Sequence, residues 1–87
     1  MPVANNWPME KTGISPFEQY VIDKVRAMRI ERGMSQRQLA NIIDVSNGFI
    51  GSVESTSERA KYNLDHINAI AKAFECSPRD LLSDKPI

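Results

Sequence analysis

The fold of this chain is decided by residues 35–54, which read SQRQLANIIDVSNGFIGSVE. Ser35 favours the N-cap position of a helix, and Gln38 three positions later completes the sequence signature of a capping box. Apolar residues follow at helical spacing until Asp44 interrupts the pattern. These signals predict a short helix that begins after Ser35 and ends near residue 44.

A second short helix is predicted directly after this interruption, over residues 47–54. Ser46 can cap it, and Ile50 and Val53 place apolar side chains on one of its faces. Two short helices joined by a tight turn match the geometry of a helix-turn-helix, in which the second helix protrudes from the fold. The outer face of this second helix carries few apolar residues, which favours insertion in a groove over burial in a core.

The sequence on either side of this stretch predicts three further helices. The run SPFE at residues 15–18 combines an N-cap serine, a proline at the first helical position and a glutamate three residues after the cap. Gly33 provides the left-handed end of that helix. Asn63 caps a later helix with one apolar stripe, and the serine-proline pair at residues 77–78 opens a short fifth helix.

These elements predict one all-α domain of five helices over residues 15–87, with no strand. Residues 1–14 contain two prolines and no helical periodicity, so we expect them to form a flexible or loosely docked N-terminal arm. Trp7 in this arm is expected to pack on the domain or on a partner, because tryptophan seldom stays fully in water.

The composition of the 87 residues, 41% hydrophobic and 25% charged, is that of an ordinary globular protein. No apolar run approaches the roughly 20 residues needed to span a bilayer, and the N-terminus lacks the pattern of a signal peptide. Cys76 is the single cysteine, so it forms no internal disulfide and supplies no metal-ligand cluster. We therefore expect a cytoplasmic protein with no metal, no cofactor and no membrane association.

The charge balance bears on the class of partner. Eleven Lys and Arg residues are matched by eleven Asp and Glu residues, whereas proteins that bind nucleic acids usually carry a basic excess. A phosphate backbone responds to the local charge of one face and not to the sum over the chain. Binding to nucleic acid would therefore depend on where the cations lie.

The run MSQRQLANIIDVSNGFIGSVES at residues 34–55 resembles the helix-turn-helix of the phage-repressor-like (Cro/C1, or XRE) family. The pattern of that family is Ser/Thr-Gln, two residues and Leu-Ala, then Val-Ser at the start of the recognition helix and Ile/Val-Glu at its end. The resemblance covers roughly residues 17–83. It implies a compact lambda-repressor-like domain that binds double-stranded DNA by inserting the recognition helix in the major groove, as a sequence-specific transcriptional regulator and most simply a repressor.

The resemblance also implies which residues read bases. Asn47 and Gly48 open the recognition helix, and Ser52 lies one turn further on the same face. Asn47 is the best candidate, because an amide can form a bidentate pair with adenine. Gly48 and Gly51 leave two outward positions bare, which would let the helix backbone approach DNA, with Phe49 contacting a thymine methyl or a sugar. The alternatives are that the sequence specificity of this helix has decayed, or that this face meets a protein.

Phosphate contacts are expected around the recognition helix. By the resemblance, Gln36 bonds a phosphate and braces that helix, while Arg59 and Lys61 lie in the loop that follows it. The candidates for phosphate contact are Gln36, Arg37, Ser46, Thr56, Arg59 and Lys61. Arg59 and Lys61 could equally be solvated loop charges, and the neighbouring Glu58 weakens their case.

The resemblance places Arg29 and Glu54 together as an ion pair between the first helix and the end of the recognition helix. Such a pair would be structural, since it fixes orientation and adds little net stability.

The sequence contains no nucleophile-base-acid set, no phosphate-cradling glycine loop and no metal-ligand spacing, so we expect no enzyme. A single module contacts few base pairs, and we therefore expect a homodimer on a two-fold operator, with no small-molecule ligand. The alternative is a protein-interaction module, for example an antitoxin-like partner, that uses the same helical scaffold with weak or no DNA binding.

Overall fold

The computed structural model describes residues 13–87, and within them it contains four α-helices, one 3₁₀ helix and no strand. The elements in chain order are α1 (Pro16–Glu31), α2 (Gln36–Ile42), α3 (Phe49–Glu54), α4 (Leu64–Phe74) and the 3₁₀ helix (Pro78–Leu81). The all-α prediction is confirmed. The prediction of five helices is wrong in its last member, because the serine-proline start at residues 77–78 opens only a four-residue 3₁₀ helix.

Capping boxes start α1, α2, α4 and the 3₁₀ helix, at the cap residues expected from the sequence. At α2, the Ser35 hydroxyl accepts from the Gln38 amide at 3.0 Å, and Oε1 of Gln38 accepts from the Ser35 amide at 2.7 Å. The box at α4 is completed by His66, whose Nδ1 accepts from the Asn63 amide at 3.0 Å. These four starts are therefore stabilised by residues within one helical turn.

Helix α3 begins differently from the prediction. It starts at Phe49 and not at residue 47, with Gly48 at the N-cap and no side-chain hydrogen bond there. The Ser46 side chain does not cap it, and only the Ser46 carbonyl accepts, from the Phe49 amide at 3.1 Å. Asn47 and Gly48 therefore belong to the turn that precedes the helix.

Three helices end around a residue in the left-handed conformation. Gly33 (φ 65°), Asp44 (φ 60°) and Glu75 (φ 57°) each occupy this position. The next residue then donates its amide to a carbonyl five residues back, at 3.0 Å in each case. Only the glycine was predicted. The other two bear a conformational cost of about 1 kcal/mol each, which the closing hydrogen bond helps to offset.

Every element contributes to one core. The largest fully buried side chains are Val25, Leu39, Ile50, Val53, Ile70 and Leu81. Ala40 is also fully buried where α2 packs on α3, so the small side chain allows the two short helices to pack closely. Of the predicted arm at residues 1–14, only Gly13 and Ile14 are among the described residues, and Ile14 is buried; Trp7 lies outside them.

Candidate nucleic-acid interface

Helix α3 presents one face to the core and leaves its N-terminal edge at the surface. Ile50 and Val53 are fully buried against the other helices. Ser46, Asn47 and Gly48 are all exposed in the turn before the helix. The segment thus offers a polar edge with no large side chain other than that of Asn47.

At the C-terminal end of α3, the resemblance correctly placed Arg29 beside Glu54. Nε and Nη2 of Arg29 donate to the two carboxylate oxygens of Glu54 at 3.0 and 2.9 Å. Nη1 of Arg29 donates to the Met34 carbonyl at 2.7 Å. The side chain of Glu54 is only 4% exposed, so this bidentate pair joins α1 to α3 away from water.

Two further side chains reach the same carboxylate. Nε2 of Gln36, the first residue of α2, donates to Oε1 of Glu54 at 3.0 Å, and Nε of Arg26 lies 3.7 Å from that oxygen. We call Arg26, Arg29, Gln36 and Glu54 the Glu54 cluster. Gln36 therefore does brace the recognition helix. Arg26 was missed in the sequence, although its position three residues before Arg29 on one helix places both on the same face.

Gly51 is not the bare outward position that the sequence suggested. A Cβ added at Gly51 would lie 3.2 Å from Oε1 of Gln36, so the glutamine side chain lies across this glycine. At Gly48, by contrast, an added Cβ would meet nothing within 4 Å. One glycine therefore accommodates the contact between α2 and α3, and only the other leaves space for an incoming molecule.

The side chain of Phe49 packs on two other rings. Its ring centroid lies 4.7 Å from that of His66 and 6.1 Å from that of Tyr62, in tilted and edge-on arrangements. We call these three residues the aromatic cluster. Phe49 is half-buried and turned toward Tyr62 and His66, because these two rings offer apolar surface that water does not. These contacts cover part of the ring, so its predicted contact with DNA stays a prediction for the part that is exposed.

Tyr62 links the aromatic cluster to the Glu54 cluster. Its side chain is buried, and its hydroxyl has no hydrogen-bond partner within residues 13–87. Burial raises the pKa of this hydroxyl above its ordinary value, and the negative charge of Glu54 raises it further, while Arg29 acts in the opposite direction. The phenol therefore stays neutral, close to a buried ion pair.

The predicted phosphate-contacting residues differ in whether their side chains already bind another group of the protein. Arg37 and Arg59 are exposed, as are Gln36, Ser46 and Thr56. Lys61 is engaged, because its Nζ lies 2.7 Å from Oε2 of Glu18. Partial burial acts to raise the pKa of Glu18, but the hydrogen bonds from Lys61 and Ser15 outweigh it, so this pKa is lowered from 4.5. A phosphate would have to compete with Glu18 for Lys61.

Residues 13–87 contain no group of three or more His, Cys, Asp or Glu side chains that could hold a metal ion. Over the same residues, no helix combines the length and the apolar character needed to cross a membrane.

Comparison with known proteins identifies the arrangement. Residues 24–86 match the Cro/C1-type HTH DNA-binding domain. The chain belongs to this family. A DNA-binding regulator family accounts for a short helix that follows an exposed turn and is held to the core at both ends, and this Cro/C1-type protein is accordingly a DNA-binding regulator of transcription.

Solved structures agree with the family. The Cro/C1-type chain is similar to a hypothetical transcription factor NHTF from Neisseria, with a TM-score of 0.65 and 26% identity over 78% of this chain and 80% of that one. It is also similar to the restriction-modification controller protein C.AhdI from Aeromonas hydrophila, with a TM-score of 0.63 and 27% identity over 72% of this chain and 92% of that one.

A third structure, the clp gene regulator ClgR from Corynebacterium glutamicum, shares the fold with a TM-score of 0.64 and 22% identity. The alignment covers 74% of this Cro/C1-type chain and 66% of the ClgR chain. A search among curated proteins found no significant match.

Proposed function

We propose that this regulator reads a short DNA half-site with the exposed turn that precedes α3, and that Asn47 is its main base-reading residue. The observation that carries the proposal is the exposure of residues 46–48 in that turn, directly before a helix whose Ile50 and Val53 are fully buried. The amide of Asn47 can donate to and accept from one adenine edge in the major groove. Gly48 leaves room for the backbone to approach, and Ser52 is a secondary, half-buried reader.

Phosphate contacts would surround this turn and set its register on the duplex. The residues that remain available are Gln36, Arg37, Ser46, Thr56 and Arg59, which are all exposed. Lys61 ranks last because of its bond to Glu18. We further propose that the protein acts as a homodimer, because one module covers too few base pairs for useful affinity. We also propose that it is a cytoplasmic repressor without enzymatic activity.

The test is selection of bound duplexes from a random DNA pool with the purified full chain. We expect enrichment of a short motif repeated in two-fold symmetry, with half-sites about one helical turn apart. Asn47→Ala should weaken binding by about 1–3 kcal/mol and relax the preference at one base position of each half-site. Asn68→Ala, on the exposed face of α4, is the matched control and should leave the selected motif unchanged.

Failure to enrich any duplex at low salt would overturn the proposal. A protein-interaction role for the same face would then account for the zero net charge of the chain. Enrichment of a motif that Asn47→Ala leaves intact would keep DNA binding but remove Asn47 as the reader.

A further inference from the structure

The Glu54 cluster contains more positive than negative charge. Two guanidinium groups, those of Arg26 and Arg29, face the single carboxylate of Glu54. The two arginines are not equivalent, since the side chain of Arg29 is 10% exposed and that of Arg26 is 57% exposed. The cluster therefore has a buried neutral pair and one outlying cation.

Arg29 is fully used inside the protein. Its Nε and Nη2 bind both oxygens of Glu54, and its Nη1 binds the Met34 carbonyl. The negative charge of Glu54 is thus already neutralised by Arg29. The 3.7 Å between Nε of Arg26 and Oε1 of Glu54 is too long for a hydrogen bond, although close enough for attraction. Within the described part of the chain, no hydrogen bond occupies the guanidinium of Arg26.

The position of Arg26 places this cation at the candidate interface. Arg26 and Gln36 approach the same oxygen of Glu54, so the two side chains are neighbours. Gln36 uses one of its two amide hydrogens for Glu54, and its second remains to be donated. Glu54 is also the last residue of α3, and exposed Thr56 follows two residues later.

We propose that Arg26 is a principal contact to the DNA backbone, holding one phosphate diester together with the second N–H of Gln36. This inference rests on the proposed function, since it names a further residue at the same interface. The guanidinium suits the task because Nη1 and Nη2 can form a forked pair of hydrogen bonds to phosphate oxygens while Nε stays near Glu54. It also explains how a chain of zero net charge presents a cation beside its recognition helix.

The test is to measure duplex affinity against salt concentration for the full chain and for three variants. The log of the affinity falls with the log of the salt concentration, and each phosphate contact makes this negative slope steeper by about 0.9 on B-DNA. Arg26→Gln should flatten that slope by about this amount and weaken specific and non-specific duplexes by the same factor. Arg26→Lys should restore the slope, because the positive charge returns.

Arg79→Gln is the matched control, since Arg79 is an exposed arginine on the 3₁₀ helix, and it should leave the slope unchanged. Thermal unfolding of each variant distinguishes a phosphate contact from a purely structural role. In the structural case, Arg26→Gln lowers Tm while the salt slope stays at the wild-type value. That result would overturn the inference and leave the proposed function standing. Absence of binding by the wild-type chain at low salt would instead overturn the proposed function, and this inference with it.

Discussion

Helix α3 is held by aromatic contacts at its N-terminal end and by ionic contacts at its C-terminal end. Phe49 packs on Tyr62 and His66 with ring centroids 6.1 and 4.7 Å away. Glu54 receives hydrogen bonds of 2.9 to 3.0 Å from Arg29 and Gln36. Packing between rings tolerates small rotations, whereas a bidentate ion pair does not. The ionic end therefore sets the orientation of the helix, and the aromatic end mainly keeps it against α4.

The largest effect is expected at the ionic end. Glu54→Ala leaves Arg29 buried with no counter-charge, which should lower the free energy of unfolding by about 3–5 kcal/mol. Chemical denaturation followed by circular dichroism measures it. The matched control is Glu58→Ala, at an exposed position, which should change stability by no more than about 0.5 kcal/mol. A loss at Glu54 as small as that at Glu58 would show that the ion pair does not hold α3.

A smaller loss is expected at the aromatic end. Phe49→Ala removes a half-buried ring, so its cost should be about 2 kcal/mol, below the roughly 3–5 kcal/mol of a fully buried phenylalanine. The same denaturation experiment applies, with Ile42→Ala as the control because Ile42 is 56% exposed. If Phe49→Ala lowered the free energy of unfolding as much as Glu54→Ala, the ionic end would not be the main anchor of α3.

The smallest effect, and of opposite sign, is expected where the two ends meet. Tyr62→Phe keeps the ring and removes a buried hydroxyl that has no hydrogen-bond partner among the described residues, so the free energy of unfolding should rise by about 1 kcal/mol. Because the raised pKa keeps that hydroxyl neutral, the gain should be the same at pH 6 and pH 8. A marked loss of stability would show that the hydroxyl is hydrogen-bonded to the Glu54 cluster after all.

Some parts of the fold could be predicted because their causes are local. The capping serines at residues 15, 35 and 77, and Asn63, each act on an amide two or three residues away. Gly33 was recognisable as a helix end because glycine readily adopts a positive φ. Asp44 and Glu75 occupy the same conformation, which was not predicted because residues other than glycine adopt a positive φ far less readily.

The contacts that candidate site residues make inside the protein were not predicted from the sequence, and this has one cause. Phe49, Gly51 and Lys61 were all assigned to the DNA-facing surface. In the folded chain, Phe49 faces His66, Gly51 lies under Gln36, and Lys61 binds Glu18. Each partner lies at least 15 residues away in the chain, so nothing within one turn indicates the contact.

The amino-acid sequence by itself determined where α1, α2, α4 and the 3₁₀ helix begin, that the domain is all-α and which family motif residues 34–55 carry. Those features arise from hydrogen bonds and apolar spacing within a few residues, so they do not depend on how the helices pack together. The tertiary structure alone decided which half-exposed side chains turn inward and left Arg26 as the outlying cation. Such choices depend on the relative placement of helices, because the partners of Glu54 are 18 to 28 residues distant and meet it only after packing.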